Sequence, residues 1–189
     1  MITSHARTRM SESSNVIDFA RRAALMRGRR DGFALAQLDG PMLKSIFDTE
    51  YFDCTVNAAG HCIVHDDLTV GICAEPRNFL LNLFSYFRTS GTREQALDFC
   101  IRFNLQLIVV SAQVLENADE NGASPVQFDY ERFCFGEERV EAKAVMRSVR
   151  LFQKIVRDGI GRLDEQRIFG ESCRTTSFTR WPAPRLRHP

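Results

Sequence analysis

Residues 61–66 read His-Cys-Ile-Val-His-Asp and bring two histidines, a thiol and a carboxylate into one short stretch. On a helix, His61 and His65 would stand one turn apart and could share a metal ion. The surrounding residues instead predict a strand, in which four residues span about 13 Å. Bonds from zinc to nitrogen are about 2 Å long, so one ion cannot bridge that pair. Cys62 adjoins His61, but neighbours on a strand point to opposite faces, which separates the thiol from the imidazole. Asp66 and Asp67 are explained as turn formers.

The remaining reactive residue types give no stronger pattern. Asp129 and Glu131 in Phe-Asp-Tyr-Glu-Arg alternate outward on a predicted strand, where solvation is their expected state. Gly159 and Gly161 in Arg-Asp-Gly-Ile-Gly-Arg are expected to end a helix. No phosphate-binding glycine loop, dinucleotide fingerprint or nucleophile elbow occurs. The expectation is a protein without catalytic, cofactor-binding or metal-ligating residues, and therefore not an enzyme.

Six cysteines (Cys54, Cys62, Cys73, Cys100, Cys134, Cys173) form no Cys-x-x-Cys pair, and most lie in apolar runs, as small buried hydrophobes do. Together with the absence of a signal peptide at the start, this predicts free thiols in a reducing cytoplasm. The 44% apolar and 26% charged residues suit an ordinary globular protein, and 189 residues suffice for one buried domain. A net charge of +1 gives no global pull toward nucleic acid or membrane. Fifteen Phe against one Trp and three Tyr predict a core packed with phenylalanine.

The elements that carry these residues follow from periodicity. A helix begins at Pro41, with Met42, Leu43, Ile46 and Phe47 on its apolar face. Four strand-like runs come next: 53–57, 61–65, 68–74 and 78–87, with turns at Gly60 and Asp66-Asp67 and a break at Pro76. Thr92 caps a second helix whose apolar positions include Ala96, Leu97, Cys100, Ile101 and Phe103. Asn104 is expected to take a left-handed cap conformation and turn this helix directly into a strand over 105–114. A strand over 126–135 places Val126, Phe128, Tyr130 and Cys134 on one face. The final helix carries Glu137, Glu138 and Glu141 near its positive end and a stripe of Val145, Val149, Phe152, Val156 and Ile160. The order α-β-β-β-β-α-β-β-α predicts an α+β fold, an antiparallel sheet with helices on one face.

Both ends differ in composition from this middle. Residues 1–38 form a basic arm; its first 31 residues hold seven arginines against three acids, a net +4. A short helix within it, capped by Ser14 or Asn15, would align Val16, Phe19, Ala23 and Met26 and stop at Gly28 and Gly32. Met10 offers an alternative start that would shorten the arm. Residues 163–189 hold Pro182, Pro184 and Pro189 with no sustained period and are expected to be a disordered tail. The packed domain is then 39–162.

That domain resembles the YbjN family, whose bacterial members are labelled sensory transduction regulators. The stretches that carry the resemblance run 47–72, 78–104 and 126–138, followed by the final helix. The helix pattern Ala-Leu-x6-Asn, from Ala96 to Asn104, leads into the next strand as in the family. That family helix usually carries two asparagines; Asn104 matches the second, and Ile101 stands in place of the first. The family is similar in fold to the type III secretion chaperones, small cytoplasmic proteins that often dimerise and hold other chains. The resemblance implies a non-enzymatic protein-binding module, chaperone-like or regulatory, that forms a homodimer.

A place for the partner follows from the strand over 78–87. Its alternation puts Leu80, Asn82, Phe84 and Tyr86 on the face away from the helices. Leu80, Phe84 and Tyr86 are therefore the predicted partner-binding residues, as an exposed apolar patch. The alternative reading is a regulator that contacts nucleic acid or another anionic surface through the arginine-rich arm. It is disfavoured because +4 is modest and no aromatic stacking pattern accompanies it.

Overall fold

The computed structural model describes residues 20–50, 52–66, 68–116, 124–134 and 139–169. Its four helices are α1 (20–31), α2 (Gly40–Asp48), α3 (Arg93–Gln106) and α4 (Ala142–Leu163). The strands are β1 (Asp53–Val56), β2 (Cys62–His65), β3 (Val70–Glu75), β4 (Leu80–Phe87), β5 (Ser111–Val114) and β6 (Val126–Phe133). All six pair antiparallel in one sheet, in the order β1-β2-β3-β4-β6-β5. From α2 onward, the predicted element order is the observed one.

Local chemistry sets the boundaries. Asp39 Oδ1 accepts from the Met42 amide at 2.8 Å, and Pro41 occupies the first turn of α2. Thr92 and Gln95 cap α3 reciprocally: each side chain accepts from the other's backbone amide. The β1–β2 turn closes at Gly60, whose φ of +80° suits a residue without Cβ. Pro76 opens a 3₁₀ turn that ends at Phe79 in a left-handed conformation before β4.

One face of the sheet supplies Val64, Ile72, Leu81, Leu83, Phe87 and Phe128 to a single core shared with α2, α3 and α4. Phenylalanine dominates its centre. Phe128 meets Phe87 at 5.3 Å and Phe103 at 5.0 Å between ring centroids, both edge-on. Along α4, Val145, Val149, Phe152 and Val156 are buried as their spacing predicts.

Several expectations are corrected. The packed region extends past both bounds of 39–162. Phe33 and Leu38 are core residues, and Phe33 exchanges two backbone hydrogen bonds with Val140. Ile168 and Phe169 are buried too, with Phe169 at 4.6 Å from Phe99. Gly28 does not stop α1. It lies inside that helix because the Phe33 ring occupies the space a Cβ would need. The inward residues of α1 are Ala24 and Leu25, while Met26 is exposed. Gly159 and Gly161 likewise sit within α4, which runs on to Leu163. Ser14, Asn15, Val16, Phe19, Glu137, Glu138, Cys173 and the three terminal prolines lie outside the described residues.

The corner at Asn104 is also different. Helix α3 continues to Gln106, and Leu107 ends it in an extended conformation, so Asn104 is an ordinary helical residue. The strand over 105–114 shrinks to β5, and residues 107–110 form the connection. Asn104 has a different structural task. Its carboxamide accepts from the Ala112 amide at 2.7 Å and donates to the Ala112 carbonyl at 2.8 Å.

Candidate protein-binding site

The residues predicted to meet a partner, Leu80, Phe84 and Tyr86, do share the second sheet face, and Phe84 and Tyr86 touch at 5.5 Å. They are not an exposed patch, however: their exposures are 9%, 6% and 9%. Part of the reason lies in β3. Gly71 faces Phe84 across the ladder, and the Phe84 ring settles where a side chain at 71 would stand. His61 closes the other side of that ring at 5.4 Å. The face is thus an apolar layer of its own, with Ile63 fully enclosed.

Burial on this face disfavours the charged forms of its ionisable groups. Burial pushes the Cys73 thiol up to about 11 and the Tyr86 hydroxyl up to about 12. Burial also raises the Asp129 carboxyl, although Gln127 and Gln113 both donate to it. Asp129 is therefore not the solvated carboxylate expected from alternation. The Asn82 Oδ1 is buried without a hydrogen-bond partner. His61 is lowered by burial, and His65 Nε2 contacts Thr55 Oγ1 at 2.9 Å. The two imidazoles thus have separate partners. Among the described residues, no three His, Cys, Asp or Glu side chains converge to hold a metal ion.

On the core side, Cys54 and Cys62 hydrogen-bond to each other across β1 and β2, which lowers the first thiol and raises the second. Burial pushes Cys100 up to about 12. A thiol raised this far stays protonated near neutral pH and is a weak nucleophile.

Exposed apolar surface collects instead on α3 and the turn after it. Ala96, Phe99, Cys100 and Phe103 face the core, whereas Leu97, Ile101 and Leu105 point outward at exposures of 40%, 59% and 79%. Steps of four residues stack these three along one stripe of the helix. Ile108 and Val109 continue it, exposed by 95% and 55%. Periodicity alone groups Leu97 and Ile101 with the inward residues and sets the last three in a strand, but the structure turns all five outward. Two apolar stripes on one helix were the available signal, since a single buried face cannot hold both Phe99 and Ile101 with their neighbours.

Beside this stripe, β5 is an edge strand. Edge strands ordinarily offer free amides and carbonyls to another chain. Here Asn104 occupies both groups of Ala112, so the middle of β5 is closed to strand addition. The arrangement offers an apolar helix face, not a strand template.

Comparison with known proteins bears on the architecture. Among solved structures, YbjN from E. coli superimposes with a TM-score of 0.53. The fold is similar to that of YbjN. The match covers 68% of this chain and 93% of YbjN at 10% identity, a level that speaks of fold alone. YbjN is itself described as a candidate transcription regulator. An uncharacterized protein from Methanothermobacter thermautotrophicus aligns at 18% identity and a TM-score of 0.46, covering 69% of this chain and 98% of its own. No family model and no curated protein matches the sequence. Among the described residues, no helix of this YbjN-like fold is long and apolar enough to cross a membrane.

Proposed function

We propose that this chain is a non-enzymatic protein-binding module, chaperone-like or regulatory, that engages protein through the outer face of α3. The observation that carries this reading is the run of five exposed large apolar side chains from Leu97 to Val109. Exposed apolar patches of this kind mark interaction surfaces in soluble proteins. The protonated thiols of Cys73 and Cys100 agree with a role outside catalysis.

The arginine-rich arm supports a nucleic-acid role less well. Arg29 pairs with Glu50 at 3.7 Å and Arg30 with Asp31 at 2.8 Å, so these charges already have acidic neighbours. A pull-down with tagged full-length protein, treated with nuclease and compared with Leu105→Glu, tests the reading. Defined proteins, a second copy of the chain included, should be retained by the parent and lost by the variant. Retention of nuclease-sensitive nucleic acid, or identical protein profiles for both, would contradict it.

A further inference from the structure

The second sheet face is buried although the four helices lie on the first. Helices α1 to α4 all pack against the core that holds Leu81, Leu83 and Phe87. Ile63, Leu80, Phe84 and Tyr86 are buried as well, but they stand on the opposite face and outside that core. The cross-strand register adds Glu75, Asp129 and Glu131 to their face. Among the described strands, no lysine or arginine alternates onto it. Asn82 Oδ1, buried there too, has no hydrogen-bond partner among the described residues. The complement of such a face is an aromatic or apolar body that carries N–H donors and positive charge.

Four segments longer than one residue lie outside the described residues, and their compositions differ. Residues 1–19 balance Arg7 and Arg9 against Glu12 and Asp18. Residues 117–123 and 135–138 are acidic. Residues 170–189 carry Arg174, Arg180, Arg185 and Arg187 against Glu171 alone, together with Phe178 and Trp181. This last segment also begins in the right place. The Ser90 amide donates to the Ile168 carbonyl at 2.8 Å, and Phe169 lies edge-on to Phe87. The chain therefore leaves the core at the end of β4 where the second face starts with Tyr86. An extended chain advances about 3.3 Å per residue, which gives Phe178 about 30 Å and Trp181 about 40 Å of reach from Phe169. Rounding the sheet end takes about 10 Å of this, and Tyr86 to Leu80 is about 20 Å along β4.

We infer that residues 170–189 dock on the second sheet face of their own chain, with Trp181 over the Phe84–Tyr86 pair and arginines beside Glu131 and Glu75. Trp181 is the single tryptophan of the sequence, so its fluorescence reports this contact directly. In the full-length parent its emission should be blue-shifted from that of a solvated indole and several-fold less quenched by acrylamide. Glu131→Lys reverses a charge on this face and should shift the emission to the red and restore quenching. Its circular dichroism should stay that of the parent, because Glu131 is exposed. Asp158→Lys makes the same charge change at an exposed position of α4 and should leave the emission unaltered. A parent whose Trp181 is quenched as freely as a solvated indole overturns the inference. So does shielding that Glu131→Lys leaves intact, and so does shielding lost on dilution, which would seat the segment on a second copy. None of these outcomes bears on α3, which the pull-down with Leu105→Glu decides separately.

Discussion

Asn104 and Ala112 are joined by two hydrogen bonds, one in each direction between a side-chain amide and a backbone. A carboxamide has the donor and acceptor of a peptide group, so Asn104 takes the place of a seventh strand at this point of the sheet. It ties α3 to β5 and closes the edge beside the exposed stripe. Helix, connection and edge strand become one unit.

Replacing Asn104 by Ala should therefore destabilise the protein by about 1–2 kcal/mol, the cost of leaving a partly buried donor and acceptor unpaired less a small gain in helix propensity. Asn104→Gly, which a left-handed cap would tolerate, should cost about 1 kcal/mol more because position 104 is helical. Urea unfolding measures both. Hydrogen exchange adds a local readout: the Ala112 amide should exchange faster in either variant. Parent-like protection at Ala112 would show that the bond is not made in solution.

Two glycines of α4 make opposite predictions from the same substitution. A Cβ at Gly159 would run into the Phe103 ring and lie 2.8 Å from Leu107 Cδ1, whereas one at Gly161 would meet nothing within 4 Å. Alanine gains about 1 kcal/mol over glycine in a helix, and overpacking costs typically 1–3 kcal/mol. Gly161→Ala should thus stabilise by about 1 kcal/mol, and Gly159→Ala should destabilise by about as much. Thermal melts of the two variants decide it. Equal shifts of the same sign would mean that α4 does not approach α3 this closely.

Asp129 gives a pH dependence. Burial raises its folded-state value above the ordinary 3.8. Below 3.8 the carboxyl is protonated in both states, and folding carries no penalty. As pH rises through the raised value, the unfolded chain ionises more readily, and stability falls to a plateau. Asp129→Asn removes this penalty and keeps an acceptor for Gln113 or Gln127. The variant should melt above the parent at neutral pH, with the difference vanishing in acid. A difference that persists unchanged below pH 4 (about the unfolded value) would assign the effect to packing.

The strands were legible because their alternation is local, and Pro76, Gly60 and Thr92 punctuate the chain by their own chemistry. The sites that misled depend on how side chains pack, which local pattern does not show. Gly28 resembles a breaker until the Phe33 ring is seen to fill the space above it. Leu105 to Val110 have strand propensity, but α3 runs two residues beyond Asn104 and uses up the start of that run. Phe84 and Tyr86 read as an open patch, because strand alternation assigns a face without saying how deep its side chains settle. The candidate surface is hidden in the sequence for a related reason: the spacing of Leu97 and Ile101 suits the buried face that Phe99 and Phe103 fill.

The central claim is that the outer face of α3 is where this chain meets protein. Photo-cross-linking in the cell that makes it tests that most directly, with a benzophenone side chain in place of Ile101 and, as control, in place of the exposed Lys154 on α4. Discrete protein adducts are expected from position 101 and none from position 154. Irradiation that yields no protein adduct at 101, or the same adducts at both positions, would contradict it.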